Sequence, residues 1–318
     1  MNACPRVLVL MTTYNGQDYV AEQIESILSQ RDVEVTLRIS DDRSSDGTYR
    51  ILEGYADSDD RVHISLNSRN LGCNANFMQL IHAADASAYD FFAISDQDDV
   101  WHPDKLAIAA SHISANTSRP ELYYAGVNNV TSDGVLLGNE YEQYRKVAAK
   151  PLSLLLVQNW ALGCTTLFNA PLLKLLQSYE GVDFGRVYDA WIHAVCLYCG
   201  GYVYGDLSHC HIDRRITGRN LMGLMNERRS PLFIARRALA WFFKRDVVRA
   251  TKHTKMACCL MEGFEQHMDA QTARIVDAVA GREFSAACRW RLFTCKGIIM
   301  PTAARTAWLK LMVLFNRF

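Results

Sequence analysis

The sequence predicts an α/β protein: a mostly parallel sheet flanked by helices, followed by a helical C-terminal region. Three observations predict it. Over residues 6 to 106 short β-rich apolar runs alternate with segments of helical periodicity. The four loops that follow those runs are polar and rich in turn residues. Beyond Pro231 the strand pattern stops, and apolar residues recur at helical spacing among Lys and Arg. Alternation of strand and helix builds a parallel sheet, because each crossover needs a helix-length connection that covers one face. Such Rossmann-type sheets bind ligands in the loops at the carboxyl ends of their strands.

The first strand is Val7 to Met11, and the loop Thr12-Thr13-Tyr14-Asn15-Gly16 leads to a helix marked by Val20, Ile24, Ile27 and Leu28. The second strand, Val33 to Ile39, ends in Asp41-Asp42-Arg43-Ser44-Ser45-Asp46-Gly47, and Ile51, Leu52 and Tyr55 mark the next helix. Val62 to Leu66 is followed by the loop Asn67 to Gly72 and a helix through Phe77, Leu80, Ile81 and Ala84. Phe91 to Ile94 runs into Ser95-Asp96-Gln97-Asp98-Asp99. A helix is expected from near Pro103, then a strand over Leu122 to Val127. Val130 to Leu137 reads as a hairpin around Asp133-Gly134, a dipeptide favoured in tight turns. A helix from about Tyr188 to Cys199 and a strand Tyr202 to Tyr204 follow.

The 318 residues are 49% hydrophobic and 21% charged, which excludes disordered and collagen-like classes. The 34 basic and 34 acidic residues are unevenly spread: 20 of the basic and 8 of the acidic fall in residues 211 to 318. A basic end of this kind suits an anionic membrane or a phosphate-bearing acceptor. Nucleic acid is set aside, since no reader motif accompanies the charge. Phe233 to Arg237, Trp241 to Arg245, Arg289 to Phe293 and Trp308 to Arg317 interleave apolar residues with Lys and Arg. They read either as interfacial membrane helices or as a subdomain packed on the rest of the chain or on a second subunit.

The ten cysteines lack zinc-site spacing and secreted-scaffold density, and read as reduced thiols. Cys196 and Cys199 form a CxxC, but within the helical apolar pattern of Trp191, Ile192 and Val195 it reads as packing. After Arg6 only five apolar residues precede Thr12, too few for a signal-peptide core, so a cytoplasmic protein is expected. No uninterrupted apolar stretch reaches the ~18 residues of a membrane span.

The chemistry-bearing segment is Asp96-Gln97-Asp98-Asp99. An acidic cluster before Trp101 and Pro103 fits a solvated turn or a helix cap. Three carboxylates at the end of one apolar strand repel one another, however, and a hard divalent cation bound with diphosphate oxygens relieves that repulsion. Asp41 and Asp42 occupy the same place after the second strand. There a carboxylate can accept the N3–H of a pyrimidine, or close an Asx turn with Ser44, Asp46 and Gly47, or both.

In order and spacing, Thr13-Tyr14-Asn15-Gly16, Ser40 to Thr48, Asn70-Leu71-Gly72 and Ser95-Asp96-Gln97-Asp98-Asp99-Val100-Trp101 resemble glycosyltransferase family 2, and more narrowly its bacterial rhamnosyltransferase-type members. The resemblance covers residues 6 to 106. It implies a GT-A fold, an Mg²⁺ or Mn²⁺ ion, a nucleotide-sugar donor and inversion at the anomeric carbon. It implies that Asp98 ligates the metal and that Asp96 lies by the ribose. Thr13, Tyr14, Asn15, Asp41, Asp42, Asp46, Asn70, Gly72 and Arg215 would complete the nucleotide-sugar site. Tyr188-Asp189-Ala190-Trp191 is similar to the family's general-base motif, which more often reads Asp-Trp directly, so Asp189 is the expected base. A carboxylate facing a helix macrodipole is the alternative. Arg214 to Asn220 is similar to a phosphate-side motif but has Thr217 in place of its histidine; His209 or His211 are the substitutes at hand.

The organisation that follows is a GT-A catalytic domain over residues 1–225, with 1–106 binding the donor and 107–225 on the acceptor side. Residues 226–318 form a helical basic region. The expected partners are dTDP-rhamnose or a UDP-hexose, a cell-surface glycan or lipid-linked saccharide acceptor, the inner face of a membrane, and a second subunit. Two alternatives stay open. A nucleotidyltransferase shares this kind of sheet but carries a glycine-rich basic loop after the first strand, which Thr12 to Gly16 lacks. An inactive sugar-binding or scaffolding relative is compatible with the altered base and phosphate motifs.

Overall fold

The computed structural model describes residues 4–139, 159–216 and 252–280, together with Trp290, Phe293, Thr294, Ala307 and Lys310. The first half alternates as the sequence predicts: β1 (Arg6–Thr13), α1 (Val20–Leu28), β2 (Glu34–Asp41), α2 (Thr48–Ser58), β3 (Val62–Leu66), α3 (Cys73–Ala83) and β4 (Phe91–Ser95). Then come β5 (Asp99–Trp101), α4 (Lys105–His112), β6 (Glu121–Val130), β7 (Leu136–Asn139), β8 (Leu167–Asn169), α5 (Ala170–Gln177), α6 (Tyr188–Tyr198) and β9 (Tyr202–Arg215). The helices α7 (Lys252–Phe264) and α8 (Ala270–Ala280) follow.

One mixed sheet carries the fold, in the order β3-β2-β1-β4-β8-β6-β9-β5, with β7 hydrogen-bonded to β6. The pairs β3-β2, β2-β1, β1-β4 and β6-β9 are parallel; β8 and β5 insert antiparallel. Val7 to Met11 are all fully buried because both faces of β1 are covered. Leu8 and Leu10 enter a core with Phe77, Ile81 and Trp191, whereas Val7, Val9 and Met11 enter the other with Ile24, Ile27 and Leu37. This split is the two-residue period of a strand expressed as two cores.

Four elements differ from the sequence expectation. Strand β9 runs fourteen residues, not three, because register shifts opposite Ala125 and Gly126 break the alternation by which a strand is recognised. Strands β5 and β8 are three residues each, too short to show a period, and α5 was not predicted at all. The hairpin around Asp133-Gly134 is present, with Gly134 at a φ of 80° and its N–H donating to Thr131.

Helix α7 buries Met256, Leu260 and Phe264 in the same core as Trp191, Ile192 and Val195 of α6, and Lys255 pairs with Asp183 at 2.5 Å. Cys196 is fully buried there, and all the described cysteines are free thiols. No described helix is long and apolar enough to cross a membrane. Thr217 to Asn220, the basic segments 233–237 and 241–245, and most of 289–293 and 308–317 lie outside the described residues.

Candidate functional site

The carboxyl ends of β1, β2 and β4 bring the sequence-predicted loops together. Asp41 is fully buried: its carboxylate accepts from the Thr13 hydroxyl at 2.8 Å, the Ser44 amide at 2.8 Å and the Ser44 hydroxyl at 2.6 Å. The Asx turn is therefore real, and it fastens the first loop to the second. Asn15 sits at a φ of 49°, a left-handed position that Asn tolerates, and its side chain accepts from the Ser45 amide. Tyr14 is half exposed at the rim. The Gln97 side chain accepts from the Tyr14 N–H at 2.8 Å and donates to its carbonyl at 3.1 Å, joining the first loop to the fourth.

Asp42 serves the third loop. Its carboxylate accepts from the amides of Leu71 at 2.7 Å and Gly72 at 2.8 Å and from the Asn67 side chain at 3.0 Å. Gly72 adopts a φ of 81°, which only glycine takes without strain, and α3 starts immediately after it. Asn70 donates to the Asp42 carbonyl and accepts from Gly72. Asp46 works at the start of α2, accepting from the Thr48 amide and hydroxyl. Burial works to raise its carboxyl, but the bonds from Thr48 and Gln17 outweigh it and hold it below the usual range.

The fourth loop holds the strongest electrostatics. Burial, then the charge of Asp96, pushes Asp98 up to about 6. Asp99 is buried, and burial with the charges of Asp96 and Asp98 raises it well above the carboxylate range. No N–H or O–H donor reaches either Asp99 oxygen. Burial also raises Asp96, against a hydrogen bond from Tyr188 and the charge of Arg214. Ligand atoms of Asp96, Asp99 and Cys164 lie within 4.8 Å of one another. Buried carboxylate oxygens reached only by a weak thiol donor, beside like charges, fit a hard divalent cation. The Cys164 thiol, raised by burial and by Asp99 and Asp96, stays protonated and is a poor ligand.

Cations border this cluster on two sides. Across the β5-β9 ladder Asp99 faces Arg214, whose guanidinium is fixed by Asn129 Oδ1 at 2.8 and 3.1 Å. Arg215 pairs with Glu22 at 2.5 Å and lies over the Tyr19 ring. Beneath, Lys105 is buried with its Nζ 3.4 Å from the centroid of Trp101 and without a hydrogen-bond partner; burial lowers it to about 7. His209 and His211 turn to Asp206, at 3.1 and 3.7 Å, and His211 also faces Asp104.

Asp189 lies in the first turn of α6. Burial pushes it up to about 6, opposed by a bond from the Ala190 amide, while the Asp96 charge raises it further. The two carboxylates are thus close enough for the charge of Asp96 to act on Asp189. Cys73, at the start of α3, feels Asp96, Asp189 and Asp42 together, and with burial they push its thiol up to about 12. Asn74 clasps the segment before α6, donating to the Arg186 carbonyl at 2.7 Å and accepting from the Tyr188 amide at 3.0 Å.

The structure thus gathers Asp42, Asp96, Asp98, Asp189 and Arg215 about one end of the sheet, and uses Thr13, Asn15, Asp41, Asp46, Asn70 and Gly72 to fasten the loops around them. Sequence reasoning counted Asp99 as the third acid of its cluster but missed Gln97, Lys105, Asn74, Tyr188 and Gly163-Cys164; a lysine in a helical run looks like a surface residue.

Residues 8–136 match the sequence model of Glycosyl transferase family 2. The chain is 39% identical over 110 residues to the dTDP-rhamnosyl transferase RfbG of Shigella flexneri, a stretch covering 34% of this chain and 38% of that protein. It spans about two fifths of the length of the first curated relatives it matches. In structure it is similar to S. aureus TarS 1-349 in complex with UDP, with a TM-score of 0.56 and 16% identity over 98% of this chain and 88% of that one. It is also similar to the mannosyltransferase PcManGT from Pyrobaculum calidifontis in complex with GDP-Man and Mn²⁺, at 0.53 and 15% over 99% and 88%. At such identities the likeness is one of fold, the mixed and mostly parallel α/β sheet of GT-A type.

Proposed function

For a chain whose residues 8–136 match the model of Glycosyl transferase family 2, we propose an inverting transfer of a sugar from a nucleotide donor to an acceptor hydroxyl. The observation that carries this reading is the approach of Asp96 and Asp99, with ligand atoms within 4.8 Å, across the β5-β9 ladder from Arg214, with Asp98 in the same loop and Asp189 close enough to feel the Asp96 charge. The rim formed by Tyr14 and the Asp42 loop takes the nucleobase. Arg215 and Arg214 face the diphosphate, for which planar guanidinium donors are suited. Asp98, with Asp96 and Asp99 beside it, holds Mg²⁺ or Mn²⁺, which supplies charge neutralisation for the departing diphosphate.

Asp189 accepts the proton of the attacking hydroxyl. A carboxylate raised to about 6 is ionised at neutral pH yet more basic than an exposed one, as a general base requires. Attack opposite the leaving diphosphate inverts the anomeric carbon. The likeness to a dTDP-rhamnosyl transferase favours dTDP-rhamnose as donor, with UDP-hexoses next. A cell-surface glycan or lipid-linked saccharide is the acceptor class. Residues 1–225 form the catalytic unit, and the basic region 226–318 makes peripheral contact with the inner face of a membrane, or with a second subunit.

Nucleoside diphosphate release from a panel of nucleotide-sugars with Mn²⁺ tests the proposal. Release with at least one donor, enhanced by an acceptor, is expected. No release with any donor would favour an inactive sugar-binding relative.

A further inference from the structure

The residue before the proposed base carries more than packing. Tyr188 is 4% exposed, its ring packs at a 35° tilt on Phe77 of α3 with a centroid distance of 3.9 Å, and its hydroxyl donates to Asp96 Oδ1 at 3.1 Å. The bond joins the first residue of α6 to the end of β4, across 92 residues of sequence. Space for it is reserved: a Cβ on Gly163 would overlap the Tyr188 hydroxyl and ring edge. Gly163 also donates its amide to Asp189, and the adjacent Cys164 lies with Asp96 and Asp99. Asn74 ties the Tyr188 amide to the same helix that the Tyr188 ring packs on.

We propose that Tyr188 is a positioning residue that couples the donor side of the cleft to the base: its hydroxyl fixes the Asp96 carboxylate while its backbone sets the first turn of α6, and with it Asp189. The inference rests on the glycosyltransferase reading above. A hydroxyl bonded to one carboxylate oxygen restricts the rotation of Asp96 and leaves the other oxygen for the donor. Conversely, a donor that engages Asp96 steadies Tyr188 and the turn bearing Asp189. The hydroxyl thus contributes to both nucleotide affinity and turnover without touching either substrate.

Tyr188→Phe keeps the ring contact with Phe77 and removes only the donor. Binding of UDP and dTDP in the presence of Mn²⁺, followed by calorimetry, should weaken about tenfold, and kcat should fall as well. Gly163→Ala pushes the ring aside and should weaken binding to a similar extent. Wild-type affinity and kcat in Tyr188→Phe overturn the coupling and leave the reaction standing. A wild-type protein that binds neither nucleotide and releases none from any donor overturns the reaction, and the coupling with it.

Discussion

Gln97 and Tyr14 exchange a reciprocal pair of hydrogen bonds, side chain to backbone, which ties the loop that carries the carboxylates to the loop at the nucleobase rim. Gly16 completes the joint, since a Cβ there would run into the Gln97 carboxamide. Gln97→Ala should raise the donor KM about tenfold, the worth of one or two neutral hydrogen bonds, with a smaller change in kcat. Gly16→Ala should do the same by displacing the same side chain. Steady-state kinetics on both variants checks this; an unchanged KM in both would show that the loops hold their places separately.

Asp98→Asn should abolish transfer and cation-dependent nucleotide binding while leaving the fold intact, because an amide is a poor ligand for a hard ion. Far-UV circular dichroism and nucleotide titration with and without Mn²⁺ read both halves. Full transfer by the variant, or by the wild type in excess EDTA, would exclude the metal role.

Asp189→Asn should slow transfer about a hundredfold or more with donor affinity nearly unchanged. In the wild type, kcat should rise with pH through an inflection near 6, where the carboxyl gives up its proton. The sign for stability is opposite. Between the ordinary value of 3.8 and about 6 the folded state holds this proton and the unfolded chain does not, so stability falls as pH rises through that window. Asp189→Asn should therefore melt higher than wild type at pH 7.5 and lose the advantage by pH 4. A lower melting temperature at pH 7.5 would mean that the carboxylate is structural.

Lys105, lowered from 10.5 to about 7 by burial, reverses that sequence. Over this interval the unfolded chain binds the proton and the folded one does not, so this group makes stability rise with pH. Lys105→Met keeps the aliphatic stem on Trp101 and should flatten the wild-type rise between pH 7 and 9, measured by urea unfolding. Parallel curves for the two proteins would place the charged amine in contact with water.

The outline of the first hundred residues could be read from the sequence because each strand there is long enough to show its period and each helix is amphipathic. Asp96, Asp98 and Asp189 were legible as carboxylates at element ends. What the sequence concealed are partnerships over long separations: Tyr188 with Asp96, Gln97 with Tyr14, Arg215 with Glu22. No local pattern encodes them. Asp42 shows a different limit, for its position was evident but its duty to Leu71 and Gly72 depends on a loop 29 residues away.

Liposome flotation tests the basic region. Attachment should require anionic lipid and weaken with salt, as Lys and Arg near such a surface contribute about 1 kcal/mol each and screening sets in within about 10 Å at 0.1 M. Removing residues 300–318 should reduce it. Equal failure to float with neutral and anionic lipid would favour packing against the chain itself or a second subunit.

The insertion of β8 between β4 and β6 bears on how the chain comes into being during synthesis. Phe91 to Ser95, every one of them buried in the finished sheet, present an open apolar edge until Leu167 to Asn169 have been made. At the usual ~5–20 residues per second that interval lasts roughly four to fourteen seconds, long enough for a nascent strand edge to meet another chain. Arg214 and Arg215 arrive later still, so the acidic end of the sheet exists without its arginines while the ribosome is working.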